Sequence, residues 1–211
     1  LSQSVFLPNY TIGTDAYEKA NGIVKEYGTK VVLIGGKTAL SKAENKIKVA
    51  LTQEIEVVAS LWYGGNSTYG NIEQLIQHES VQKTDVLFAV GGGRACDTVK
   101  VIGEKLAKPV FTFPTIGSNC SPVTAVCVIY NEEGVMDGLF FPSKPPVHTF
   151  IDTAIIAEAP DKYLWAGIGD ALSKEVESTF SARGDDLGYT DRLGIQIGKM
   201  CIDRLLTYGT Q

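Results

Sequence analysis

The chain has 211 residues, 44% hydrophobic and 20% charged, enough for one large domain or one and a half built on a real core. A net charge of −5 with no basic stripe argues against a nucleic-acid partner, and no apolar run reaches bilayer-spanning length, so no membrane partner is expected. The four cysteines (Cys96, Cys120, Cys127, Cys201) form no C-x-x-C pair and no secretory leader is visible, which predicts a reduced, cytoplasmic setting.

In chain order, residues 15–27 read as a helix that stops at Gly28. Val31 to Ile34 is a short apolar run, hence a buried strand, and it ends at Gly35-Gly36. Ala39, Leu40, Ala43, Ile47, Ala50 and Leu51 make a helical stripe over 37–52. A strand over 55–61 follows, then a helix over 68–83 carrying Ile72, Leu75 and Ile76, a strand over 86–90, a helix over 94–106 and a strand over 109–113. This β-α rhythm predicts an α/β fold: a doubly wound, Rossmann-like parallel sheet with right-handed crossovers. Residues 123–130 and 135–141 read as two strands joined at Asn131-Glu132-Glu133-Gly134, a hairpin signal, and 147–151 as a further strand. The pattern changes after Asp152. Pro160 can start a helix, and Leu193, Ile197, Met200, Cys201 and Leu205 recur at helical intervals over 190–209. The predicted boundary lies near residue 156, with 1–156 an α/β domain and 157–211 the start of an all-helical one.

Residues 86–100 carry the strongest chemical signal. Five apolar residues run into Gly91, Gly92 and Gly93, which remove every Cβ at the strand end and let a backbone or a ligand come close. The following helix points free N–H groups back at that gap, a ready anion site. The simplest ligand is the pyrophosphate of a dinucleotide. Neither G-x-G-x-x-G nor the P-loop spacing is present, so a tight turn is the plain alternative. Asp97 and Lys100 lie one turn apart on one helix face, with Ala95, Thr98 and Val99 toward the sheet. The first strand ends at Gly35-Gly36-Lys37-Thr38, at the sheet end where doubly wound folds bind ligands. A carboxylate there would accept from a ribose 2′-hydroxyl. A cation and a hydroxyl suit a 2′-phosphate better, unless Gly35-Gly36 merely turns the backbone and Lys37 is solvated.

Gly-Gly-Gly-Arg-Ala-Cys-Asp-Thr-Val-Lys (91–100) resembles the Gly-Gly-Gly-x-x-x-Asp-x-x-Lys segment of the iron-containing alcohol dehydrogenase superfamily, its glycerol dehydrogenase branch in particular. Two more blocks match in order: Pro-Thr-Ile-Gly-Ser-Asn-Cys-Ser-Pro through Val-Ile-Tyr (114–130), and Ile-Asp-Thr-Ala through Gly-Ile-Gly-Asp-Ala-Leu-Ser-Lys-Glu-Val-Glu (151–177). The resemblance implies NAD or NADP as cofactor, held by Gly36, Lys37, Gly91, Gly92, Gly93 and Asp97. Thr115 and Ser118 would also contact the dinucleotide, with Thr124, Val126 and Tyr130 lining its nicotinamide half. It implies a small-molecule alcohol or polyol as substrate and a homo-oligomer. It singles out no catalytic residue. Glycerol dehydrogenases hold a substrate hydroxyl with an aspartate where this sequence has Cys120. A thiol cannot accept a comparable hydrogen bond, which argues against glycerol itself and makes a small buried filler the plain reading of Cys120. Asp170 matches the family's first ligand to a divalent metal, zinc or iron. Its plain reading is a favourable charge near a helix N-terminus.

The family completes that metal site with histidines further along. Here His78, on a polar helix face, and His148, ahead of a strand, both precede Asp170 and read as surface or packing residues. A catalytic divalent metal needs about three protein ligands. The expectation is therefore a sequence truncated at its C-terminal end relative to the family, with no tightly held metal. Two functional readings follow: a nicotinamide- and metal-dependent alcohol dehydrogenase, or a non-catalytic nucleotide-binding fragment or degenerate homologue. A dehydroquinate-synthase-like lyase is a minor third, disfavoured by the Val-Ile-Tyr and Gly-Ile-Gly-Asp-Ala-Leu blocks.

Overall fold

The computed structural model describes residues 5–52, 54–182 and 186–209. Its strands are β1 (Tyr10–Gly13), β2 (Lys30–Gly35), β3 (Glu56–Trp62), β4 (Val86–Gly91), β5 (Val110–Pro114), β6 (Cys127–Tyr130), β7 (Met136–Phe140) and β8 (His148–Asp152). Six of them form one sheet in the order β1-β8-β5-β4-β2-β3, and every neighbouring pair is parallel. The helices are α1 (Ala20–Val24), α2 (Lys37–Ala50), α3 (Tyr69–Ile76), α4 (Glu79–Lys83), α5 (Gly93–Leu106), α6 (Thr153–Ala157), α7 (Asp161–Ala182) and α8 (Tyr189–Tyr208), with a 3-10 turn, Ala16–Lys19, leading into α1.

The continuous apolar runs follow from a sheet covered on both faces. Along β4, Val86, Phe88 and Val90 join one core while Leu87 and Ala89 join the other. The first core lies under Tyr17, Ala20, Val24, Leu40, Ala43 and Ile47, and Phe88, Phe113 and Phe150 stack through it with ring centres 4.7 and 5.1 Å apart. The second is covered by Ile72, Val81, Val99, Ile102, Cys127 and Ile129. The backbone leaves β2 for β3 on one side and returns to β4 on the other. The order therefore reverses between β2 and β4, where a doubly wound sheet opens a ligand crevice.

The expected hairpin forms. β6 and β7 pair antiparallel, and the Asn131 side chain accepts from the Val135 N–H at 2.8 Å across the turn. The strand expected over 123–130 is shorter, because 121–123 coil into a 3-10 turn that contains Pro122. The helix expected over 68–83 is two helices. His78 adopts an extended backbone and caps α4, its Nδ1 accepting from the Ser80 N–H at 3.2 Å, so His78 is a cap and not part of a polar helix face. Two elements go beyond what the sequence pattern predicts. β1 is a four-residue edge strand, and α6 starts from Asp152, whose buried carboxylate accepts from the Ala154 and Ile155 N–H groups and pairs with Lys46.

Backbone contacts divide the molecule into two compact units. A sheet unit takes Phe6–Ile116 and Cys120–Ala159, and a helical unit holds Gly117–Asn119 with α7 and α8.

Candidate functional site

At the carboxyl ends of β2 and β4 the backbones touch. The Gly36 N–H donates to the Val90 carbonyl at 3.3 Å, and a Cβ on Gly35 would lie 2.2 Å from that same oxygen. Gly91 has φ +143°, and its missing Cβ would press against the methyls of Ala95 and Ala39 at 3.2 and 3.5 Å. Here glycine is required by backbone shape and by space. Gly92 differs: its backbone is extended (φ −84°, ψ −173°), and a Cβ there would meet the Ile116 side chain, the δ-methyl at 2.6 Å and Cγ1 at 3.1 Å. Gly92 caps α5, which starts at Gly93 with no side chain over its end. The first helical bond runs from the Cys96 N–H to the Gly92 carbonyl at 3.1 Å. The N–H groups of Gly93, Arg94 and Ala95 thus have no partner inside the helix and carry its positive end. Gly36 is open on its Cβ side, with Ala39 and the Tyr63 ring at 3.8 Å.

Two exposed cations flank the crevice, each resting on a ring. The Lys37 ammonium lies 4.7 Å over Trp62, and the Arg94 guanidinium 4.7 Å over Tyr130. Sequence reasoning names Lys37 and Tyr130 and misses Arg94, Trp62 and Tyr63. A cation directly after three glycines is the available signal for Arg94.

The polar stretch after β5 is seated from below. The Thr115 N–H donates to the Gly91 carbonyl at 3.3 Å. The Thr112 and Thr149 hydroxyls both donate to the Pro122 carbonyl, at 2.8 and 3.0 Å. The buried Lys100 ammonium donates to the carbonyls of Ser121, Thr124 and Val126 at 2.8, 3.2 and 2.7 Å and pairs with Asp97 at 2.9 Å. Asp97 accepts from the Ser121 hydroxyl at 2.6 Å and from the Val128 N–H at 3.1 Å. With 5% exposure and both oxygens engaged by the protein, Asp97 braces the loop that carries Thr124 and Val126. Burial pushes the Cys96 and Cys127 thiols up to about 12, so both are protonated and unreactive at neutral pH. Cys120 is exposed, which overturns its reading as a buried filler.

In the helical unit, Gly167 exists because the Gly117 carbonyl passes 1.8 Å from where its Cβ would be. This close approach sets the loop tip carrying Ser118 against α7, one turn before Asp170. Asp170 lies mid-helix, so a favourable charge near a helix start is not what it supplies. Its Oδ1 is 3.2 Å from the Lys174 ammonium. His148 opens β8 with Nε2 2.9 Å from the Thr11 hydroxyl, and burial holds its pKa below the ordinary 6.5.

The family model of iron-containing alcohol dehydrogenases matches residues 8–153. The chain belongs to that family. It is similar to the glycerol dehydrogenase of Pseudomonas putida, 29% identical over 204 residues that cover 95% of this chain and 56% of that protein. The glycerol dehydrogenase of Thermotoga maritima is 38% identical over 152 residues, 70% of this chain and 41% of that one. The crystal structure of glycerol dehydrogenase from Schizosaccharomyces pombe superposes with a TM-score of 0.86 at 29% identity, covering 99% of this chain and 54% of that one. The chain spans about half the length of the relatives it matches. The family's two cofactor classes fit it unequally. A helix start with no side-chain cap, beside glycine turns that bring the β2 and β4 ends together and leave Gly36 open, suits a pyrophosphate. Among the described residues no group of three His, Cys, Asp or Glu side chains is brought together, and the Asp170 carboxylate is paired with the Lys174 ammonium.

Proposed function

We propose that this protein holds the nicotinamide-dinucleotide site of an alcohol or polyol dehydrogenase. The observation that carries the reading is the start of α5, uncapped by any side chain and set behind the glycine turn at the β2/β4 switch point. The bound NAD or NADP supplies the hydride acceptor for oxidation of a small alcohol. The protein's own residues bind and orient it. Gly36, Gly91, Gly92 and Gly93 let the pyrophosphate reach backbone N–H groups, and Lys37 stands by the adenosine end. Thr115, Thr124, Val126 and Tyr130 line the remainder, on a loop that Lys100 and Asp97 hold in place. The exposed Cys120 offers no strong acceptor, so alcohols other than glycerol are the expected substrates. The second reading, a nucleotide-binding module without catalysis, is favoured by one observation: the Asp170 carboxylate is engaged by the Lys174 ammonium.

Gly92→Val tests the reading, because the extended backbone at 92 accepts a β-branched residue and the Ile116 δ-methyl can move aside. Charge-assisted hydrogen bonds contribute roughly 1.5–3 kcal/mol each, so calorimetric titration should show NAD and NADP affinity falling about tenfold or more while the melting curve stays put. Undiminished affinity in a folded Gly92→Val variant refutes the site.

A further inference from the structure

On α7 the face that receives the loop tip at Gly167 continues through Asp170, Lys174 and Glu177. The Lys174 ammonium is held between two carboxylates, 3.2 Å from Asp170 Oδ1 and 2.9 Å from Glu177 Oε2. Glu177 is itself fixed by the Ser173 hydroxyl, which donates to Oε1 at 2.6 Å. The i,i+4 and i,i+3 spacings place all three charges on one helical stripe, a part-exposed ion-pair network in which the ammonium faces both carboxylates. A divalent ion approaching Asp170 therefore meets a positive charge already seated within hydrogen-bond distance of the ligand oxygen.

We infer that Lys174 takes the cation's place at Asp170, so that this protein accepts a divalent ion there only when Lys174 withdraws. The competing cation comes from the same helix, the lysine one turn beyond the aspartate. The inference is independent of the dinucleotide reading, because its test contains no nucleotide.

The test is a Mn²⁺ titration of the purified protein, read by paramagnetic broadening of amide signals around Asp170. Lys174→Met keeps the aliphatic stem and the helix propensity while removing the charge. The wild-type protein should broaden at α7 no sooner than Asp170→Asn. Lys174→Met should reach half-broadening at about threefold lower Mn²⁺, the scale of a part-exposed ion pair. That gain should vanish in the double variant and be absent from Lys174→Arg, which keeps a cation and controls for folding. The inference is overturned if wild-type broadening already depends on Asp170 as strongly as in Lys174→Met. It is equally overturned if Zn²⁺ survives dialysis of the wild-type protein at one equivalent and is lost from Asp170→Asn.

Discussion

The proposed dinucleotide would bring its ribose 2′ position to Lys37, whose ammonium rests over the Trp62 ring. Leaving an exposed ring costs about 0.5–1 kcal/mol, whereas a charge-assisted bond to a phosphate returns about 1.5–3 kcal/mol. The second term wins, so NADP should bind at least as well as NAD. Lys37→Ala should lower NADP affinity about tenfold and leave NAD almost unchanged, as measured by fluorescence titration of both cofactors. An NAD preference that persists in Lys37→Ala would show that this turn does not read the 2′ position. At this scale the glycines were legible, because a run without Cβ atoms has few uses at a strand end. The seating of Arg94 on Tyr130 was not. That contact joins a helix start to a hairpin 36 residues further along, and only the folded state brings them together.

Among the elements, α5 does two jobs. Its start faces the crevice, and its second turn anchors the loop after β5 through Lys100 and Asp97. Both charges are nearly free of solvent, with side-chain exposures of 2% and 7%. Removing one partner of a buried pair costs about 3–5 kcal/mol, because the other stays charged and unpaired. Lys100→Met should therefore lower the melting temperature by roughly 10 °C. Adding Asp97→Asn should recover part of that loss, and dinucleotide affinity should fall with the loosened loop. An unchanged melting curve in Lys100→Met would show that the pair does not brace the loop. The sequence shows the one-turn spacing of Asp97 and Lys100 and hence the pair. It does not show the carbonyls of Ser121, Thr124 and Val126, since backbone acceptors carry no sequence signature. Hydrophobic spacing alone likewise runs α3 and α4 together, because the break at His78 is a cap hydrogen bond and leaves the apolar period intact.

Across the whole molecule, the sheet unit buries its apolar residues and the helical unit leaves many of its own in solvent. Neither α7 nor α8 contains a buried residue, and Phe180 and Met200 are 78% and 74% exposed, with Trp165, Val176 and Leu206 also open. Apolar surface of this kind drives association. The purified protein should sediment as more than a monomer, and Phe180→Glu with Met200→Glu should shift it toward one; a wild-type protein monomeric at high concentration contradicts this. No helix among the described residues is long and apolar enough to cross a membrane.

The sequence by itself determined the parallel sheet, since runs such as Val86 to Val90 can be buried only with helices on both faces, and it determined the glycine crevice, since missing Cβ atoms are a local property. Tertiary structure alone decided the rest. It made Asp97 a brace, exposed Cys120, and set the Gly117 backbone against Gly167. Each of these depends on which distant backbone comes within a few ångströms, and no local pattern of residues makes that distance legible.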